Sequence, residues 1–195
     1  MFIGHIKQFG LQTPGFIEIG VNSTSLDNTL FIIISFSVSY EINCFFCSQL
    51  TAMFFNYKNI TLEALNKRLE NTMASYLGMK VIEIGESHLT MKMPVDHRTI
   101  QPMGLLNGGA SMALAETVGS MAANLTLDGT KVCVGLEING NHLKGVKKGF
   151  VYGKATPIHT GRQTHVWQVN ISDDDGNLVC TCRITVLIID NPAQK

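Results

Sequence analysis

Charge is scarce in this sequence, and what there is cancels. Fifteen lysines and arginines stand against 15 aspartates and glutamates in 195 residues, for a formal net charge of zero. A nucleic-acid-binding face needs clustered cations, so composition speaks against that class of partner. The five cysteines (Cys44, Cys47, Cys133, Cys180 and Cys182) are an odd number without the spacing of a disulfide framework, which fits a reducing, cytoplasmic compartment. Cys44-Phe-Phe-Cys47 has the spacing of half a zinc or redox site. No second Cys or His pair stands at ligand spacing, so no metal is expected. Long apolar runs are missing too. Leu30 to Val38 is interrupted by two serines, too short to cross a membrane, and too far from the start for a secretory signal. Internal repeats and low-complexity tracts are absent.

What is present divides unevenly. The first fifty or so residues show neither a helical nor a strand period, and Met53 opens a segment that reads like an ordinary start. Residues 1–52 are expected to be an N-terminal extension outside the folded domain, from an upstream start; a regulatory or membrane-associating tail is the rival reading. Residues 53–195 then make one domain with a real core, consistent with 45% hydrophobic content.

From Thr61 the signals are regular. Thr61 is a helix N-cap with Glu63 in the first turn, and Leu62, Leu65, Leu69, Met73 and Leu77 keep helical spacing up to Gly78. Strand patterns follow at KVIEIGE and HLTMKMPV. A loop from Pro94 to Gly104 leads into a long helix from about Asn107 to Leu125. Four further strands lie at KVCVGLEIN, GFVYGKATPI, THVWQVNIS and NLVCTCRITVLII, the last two joined through Asp173-Asp174-Asp175-Gly176-Asn177. Cys180 and Cys182 alternate on the last of these and are expected to share its apolar face. Consecutive strands with short turns predict an antiparallel sheet, hence α+β, and a helix apolar nearly all round must be wrapped by that sheet.

Between Arg98 and Asp128 only one side chain can ionise, Glu116. An unpartnered buried carboxylate is costly, so three readings stand open: an exposed strip with Ser120 and Asn124, a structural acid satisfied by hydrogen bonds, or a group at a pocket wall. Gly108 and Gly109 at the helix start favour close approach of a ligand to the first-turn N–H groups, which can stabilise an oxyanion. Within one chain Glu116 lies roughly 10 Å along the axis from those groups, too far for one small reacting centre. The spacing hints at a site shared across a two-fold dimer.

QPMGLLNGGASMALAETVGS resembles the signature of the hotdog-fold acyl-CoA thioesterases of the phenylacetate-pathway type. The likeness is nearest to bacterial enzymes acting on 1,4-dihydroxy-2-naphthoyl-CoA and to those clearing mischarged aryl carrier proteins in enterobactin synthesis. It spans about Met53 to Asp190 and includes ITLEALN, MPVDHRTIQP, VGLEINGNHLKG and PIHTGRQTHVWQVNISDDDGNLVC. The resemblance implies a curved antiparallel sheet around a central helix, acting as a homodimer that pairs into a homotetramer. The implied reaction is hydrolysis of acyl-CoA or acyl-carrier-protein thioesters without metal or organic cofactor, coenzyme A being part of the substrate.

By position the resemblance makes Glu116 the catalytic carboxylate, nucleophile or general base. Gly109 becomes the N–H that polarises the carbonyl, Gln101 the group orienting substrate or water, and Ser120 a hydroxyl one turn after the acid. Gly108, Thr117, His159, Gly161 and Arg162 fall on the substrate side, with Arg162 and Lys144, Lys147 and Lys148 as candidate grips for coenzyme A phosphates. Asn107 departs from the pattern, where relatives carry His: Asn can orient a substrate or cap the helix, but cannot titrate near neutral pH. His142 and His165 are read as surface or strand residues, His88 and His97 offer no ligand constellation, and Met103, Met112 and Met121 are candidates to line an apolar acyl cleft. A hydratase acting on 3-hydroxyacyl thioesters, resting on an Asp–His pair, and a non-catalytic acyl-CoA sensor are the alternatives. For the extension, intact-mass analysis of the protein purified from its own host is expected to give an N-terminus at Met53.

Overall fold

The computed structural model describes residues 60–194. The expectations for residues 1–52, including the Cys44–Cys47 pair, and for a start at Met53 lie outside the described residues. The first helix, α1 (Leu62–Arg68), begins as its cap requires: the Thr61 hydroxyl accepts from the Ala64 N–H at 3.1 Å, with Glu63 in the first turn. The single helix expected to reach Gly78 is instead two. Asn71 adopts φ 60°, a left-handed conformation that asparagine tolerates, and a four-residue helix α2 (Met73–Tyr76) restarts after Thr72. Of the predicted apolar stripe, Leu65 and Leu69 are therefore buried, whereas Leu62 and Met73 face solvent.

The strands fall where alternation puts them: β1 (Lys80–Ile84), β2 (Leu89–Pro94), β3 (Lys131–His142), β4 (Phe150–Thr160), β5 (Thr164–Asp173) and β6 (Leu178–Asp190). They form one antiparallel sheet in the order β1-β2-β4-β5-β6-β3. Between β2 and β3 the chain makes the long helix α3 (Gly108–Leu125), which packs against β2, β3, β4, β5 and β6. Its Leu114, Ala115, Val118 and Ala122 are fully buried against Met91, Trp167, Val169, Ile171 and Ile184 from the sheet. A six-stranded sheet wrapped on a central helix is the hotdog arrangement, and it buries the apolar circumference of α3. Cys180 and Cys182 do share the inner face of β6, their sulfurs 3.5 Å apart.

The β5–β6 turn is held by one carboxylate. Asp173 accepts from the backbone N–H groups of Asn177 at 2.8 Å and Asp175 at 3.1 Å, and from Lys144 Nζ at 2.6 Å. The Lys144 ammonium ahead of these N–H donors pulls the Asp173 carboxyl down to about 2. Among the described residues no helix is long and apolar enough to cross a membrane.

Strand β3 ends the sheet, and its pairing with β6 shifts between Gly135 and Glu137, leaving Leu136 as an extra residue. Before the shift Cys133 and Gly135 turn inward. After it Ile138, Gly140 and His142 do so. A regular strand would have turned Glu137, Asn139 and Asn141 onto the helix instead.

Gly119 brings α3 against β6: a Cβ there would stand 2.6 Å from Ile184 Cγ2. Gly119→Ala gains about 1 kcal/mol of helix propensity and loses about 1–3 kcal/mol to overpacking. A net loss of about 1 kcal/mol is expected, read as a lower urea midpoint with an unchanged slope.

Candidate functional site

Helix α3 starts as the sequence indicates. Asn107 is its N-cap, with φ −70° and ψ 133°, and its side-chain Oδ1 accepts from the Gly109 N–H at 2.7 Å. That N–H, which the resemblance offers to a substrate carbonyl, is thus engaged by the cap. The preceding loop folds back through an Ile100–Leu106 bridge and the bond from Asn107 N–H to the Thr99 carbonyl at 2.8 Å. Gln101 stands in this loop, half-buried, its Oε1 accepting from Met103 N–H at 2.6 Å. Its NH2 end is the one turned away from that contact and suited to donate to a ligand.

A residue set aside in the sequence joins this group. His142, on the inner face of β3, brings its Nε2 to 2.8 Å from where a Cβ on Gly108 would stand. An imidazole therefore does lie at the helix start, contributed by the strand rather than by position 107. The two residues are 34 positions apart, so only the sheet register unites them. The available signal was that His142 sits inside VGLEINGNHLKG.

Two turns further along α3, Glu116 lies half-buried beside the edge strand. A Cβ on Gly135 would overlap its Oε1. Burial pushes the Glu116 carboxyl above its ordinary 4.5, and the Ser120 hydroxyl donating to it pulls the other way. Its neighbour Cys133 is half-buried, and burial pushes that thiol up to about 11, so it stays neutral. Of the three readings left open, the exposed strip gives way. Glu116, Ser120 and Asn124 do form one strip, but it faces β3: the Cys133 N–H donates to Asn124 Oδ1 at 3.0 Å and Cys133 Sγ lies 3.3 Å from the Ser120 carbonyl oxygen.

Beside the second half of α3 opens a groove of about 910 Å³, lined by Thr117, Ser120, Met121, Asn124, Leu127 and Val132 among others. Thr117 gives its hydroxyl to the Ala113 carbonyl at 2.7 Å, so it shapes the wall without a free donor. Of the methionines only Met121 lines this groove; Met112 packs on Gly140, and Met103 is exposed.

The remaining candidates stand apart. His159, Gly161 and Arg162 cluster at the β4–β5 turn, with the His159 ring against Gly161 and Arg162 exposed. Lys144 sits at the far end of β5, committed to Asp173. The ten residues from Thr164 to Asp173 span roughly 30 Å of strand, so Arg162 and Lys144 of one chain cannot grip one phosphate. Lys147 and Lys148 are exposed close to the helix start, where the Leu106 N–H donates to the Val146 carbonyl at 2.7 Å. Among the described residues no three His, Cys, Asp or Glu side chains gather as metal ligands.

Comparison with known proteins gives a consistent picture. A family profile described as the thioesterase superfamily matches residues 103–180. The 1,4-dihydroxy-2-naphthoyl-CoA hydrolase of Escherichia coli is 46% identical over 132 residues, 68% of this chain and 97% of that protein. The proofreading thioesterase EntH of Cronobacter sakazakii is 46% identical, over 68% of this chain and 96% of its own length. A crystal structure of a thioesterase from Haemophilus influenzae superposes with a TM-score of 0.68 at 46% identity, covering 71% of this chain and 95% of that one.

A carboxyl raised by burial is a net cost to folding while ionised. That cost is absent below the ordinary value of 4.5 and complete above the raised folded value. Glu116→Gln is therefore expected to raise Tm at pH 7 by roughly 1–4 °C, with the gain vanishing as pH falls below about 4.5 in paired thermal melts.

Proposed function

The chain belongs to the thioesterase superfamily and is a thioester hydrolase, and we propose that it acts on acyl-CoA or acyl-carrier-protein thioesters with aromatic or medium-chain acyl groups. The observation that carries this reading is Glu116: a lone, partly desolvated carboxylate that points at a sheet edge beside an open groove. Ionised, it either bonds to the thioester carbonyl carbon or takes a proton from the water that does. The carbonyl oxygen, negative in the tetrahedral intermediate, is held by the first-turn N–H groups, with the substrate oxygen replacing Asn107 Oδ1 at Gly109. The intermediate then collapses and the C–S bond breaks. On the water route the departing thiolate takes the proton that Glu116 accepted. On the direct route it leaves an acyl anhydride on Glu116 that water hydrolyses, freeing the acid, restoring the carboxylate and supplying the thiol's proton. His142 and Gln101 are placed to orient the thioester or the water. Thr117, Ser120 and Met121 form the near wall of an acyl groove.

In one chain the acid and the helix start are on the same helix and roughly 10 Å apart. Among the described residues no strand pairs with the outer edge of β3, which supports a second copy there: Val134 and Leu136 are an apolar pair, 42% and 56% exposed. Antiparallel pairing centred on Asn139, with Leu136 of each chain bulged out of the register, would set Gly135 of one chain opposite the partner's His142. Glu116 would then meet the partner's helix start, giving two sites per dimer. Two dimers pairing into a homotetramer, a cytoplasmic setting and catalysis without metal or organic cofactor complete the proposal. Arg162 and the exposed Lys147 and Lys148 are proposed to contact the coenzyme's phosphates from different subunits. The hydratase alternative, which rests on an Asp–His pair, is disfavoured because α3 carries a glutamate and no aspartate, and the imidazole that reaches α3 within the chain sits at Gly108, two turns from Glu116.

Thiol release from a panel of acyl- and aroyl-CoAs is expected with the wild type and to fall at least about 10²-fold in kcat for Glu116→Ala. Tight binding without release by the wild type would identify a sensor instead.

A further inference from the structure

Strand β3 carries a glycine where a strand residue would ordinarily pack a side chain. Gly135 lies five residues into the 12-residue β3, and glycine weakens a strand interior. Its backbone does not require glycine, since among the described residues the left-handed ones lie elsewhere, at Asn71 and five other glycines. The space its missing side chain leaves is taken by one group: the nearest atoms to a Cβ built there are Oε1, Cδ and Oε2 of Glu116. Gly140, on the same strand, is instead filled by Met112 and Cys182. The two glycines are thus used differently, one by an acid and one by the core.

We infer that Gly135, together with the adjacent Leu136 bulge, is a positioning residue: it is the notch in the edge strand through which the Glu116 carboxylate reaches the reacting carbonyl. This rests on Glu116 as the catalytic acid. The shortest side chain, a methyl at position 135, would collide with the carboxylate. The carboxylate sits near the end of a side chain with three rotatable bonds, whereas the new methyl is fixed to the strand, so the acid moves. A displacement of about 1 Å at a reacting group is enough to cost on the order of 10²-fold in rate. Among the described residues the groups facing the acid at this point are the Ser120 hydroxyl on α3 and the neutral Cys133 thiol on β3, and no charged neighbour holds it in place.

The test compares Gly135→Ala, Gly140→Ala, Glu116→Gln and Glu116→Asp, with the double variant Gly135→Ala/Glu116→Asp. All are assayed as full chains for kcat, KM, Tm and the acid limb of the kcat profile on one aroyl-CoA. Gly135→Ala is expected to lower kcat at least tenfold with KM within about threefold. Its acid limb should move towards the ordinary carboxylate range, because the acid leaves its desolvated notch. Gly140→Ala should lower Tm while leaving kcat per folded molecule and the acid limb unchanged. The double variant, whose acid is one methylene shorter, should recover activity relative to the product of the two single losses. Wild-type kcat and an unmoved limb in Gly135→Ala, or strictly additive losses in the double variant, would overturn the inference while leaving the enzyme reading intact. Undiminished turnover in Glu116→Gln would overturn both.

Discussion

The contact on which the rest depends is the lengthwise packing of one stripe of α3 against the edge strand β3. Residues four apart on a helix share a face, and Gly108, Met112, Glu116, Ser120 and Asn124 are such a series. Opposite them run His142, Gly140, Gly135 and Cys133, in reverse order. The other faces of α3 are small and apolar, and they bury into the sheet as any core helix would. This stripe is different because its counterpart is an edge. A carboxylate at the fully buried Leu114, Val118 or Ala122 would instead sit among the apolar side chains of the core and have to discharge or destabilise the domain. Here it can be partly desolvated and still face outward between two elements.

That placement sets the role proposed for Glu116 against stability within a single side chain. Burial opposes ionisation of Glu116, and only the Ser120 hydroxyl works against the burial. The domain tolerates this because its core is continuous through α3 and all six strands, so one unfavourable charge is a small part of the whole. Cys133 shows how the surroundings are kept undemanding: a thiol that stays neutral beside the acid adds no repulsion and needs only weak partners. The cap at Asn107 shows a second compromise. The side chain that stabilises the helix start does so by engaging the Gly109 N–H, so catalysis as proposed must exchange one acceptor oxygen for another at the same donor.

The parts of this arrangement legible in the sequence are those encoded by local periodicity. Alternation in HLTMKMPV and in THVWQVNIS located β2 and β5, and the long apolar segment after Asn107-Gly-Gly located α3 with its cap, because burial on one face leaves a period of 2 or 3.6. The break after α1 was missed since Leu62 through Leu77 kept the helical spacing; the left-handed Asn71 overrode it. What depends on pairing between distant segments left little trace. His142 reaches Gly108 only through the sheet register, and the commitment of Lys144 to Asp173 joins residues 29 apart. Gly135 did carry a signal, a lone glycine inside a strand pattern, which marks a bulge or a close approach. Both are present there.

The bulge has a consequence for the proposed dimer that composition alone could never suggest. Residues directly opposite one another in an antiparallel pair project from the same face of the sheet. Gly135 and His142 are an odd number of positions apart, so in a regular strand one would face the helix and the other solvent. Two-fold pairing of regular strands could then never bring the acid's notch opposite the partner's imidazole and helix start. The extra residue at Leu136 restores the parity. It makes both positions inward, and inward on the same side of a sheet continued through the seam. A single inserted residue would thereby reconcile, in the proposed dimer, two demands that a plain strand cannot meet together: packing α3 along its whole length within one chain, and presenting each chain's carboxylate to the amide dipoles of the other.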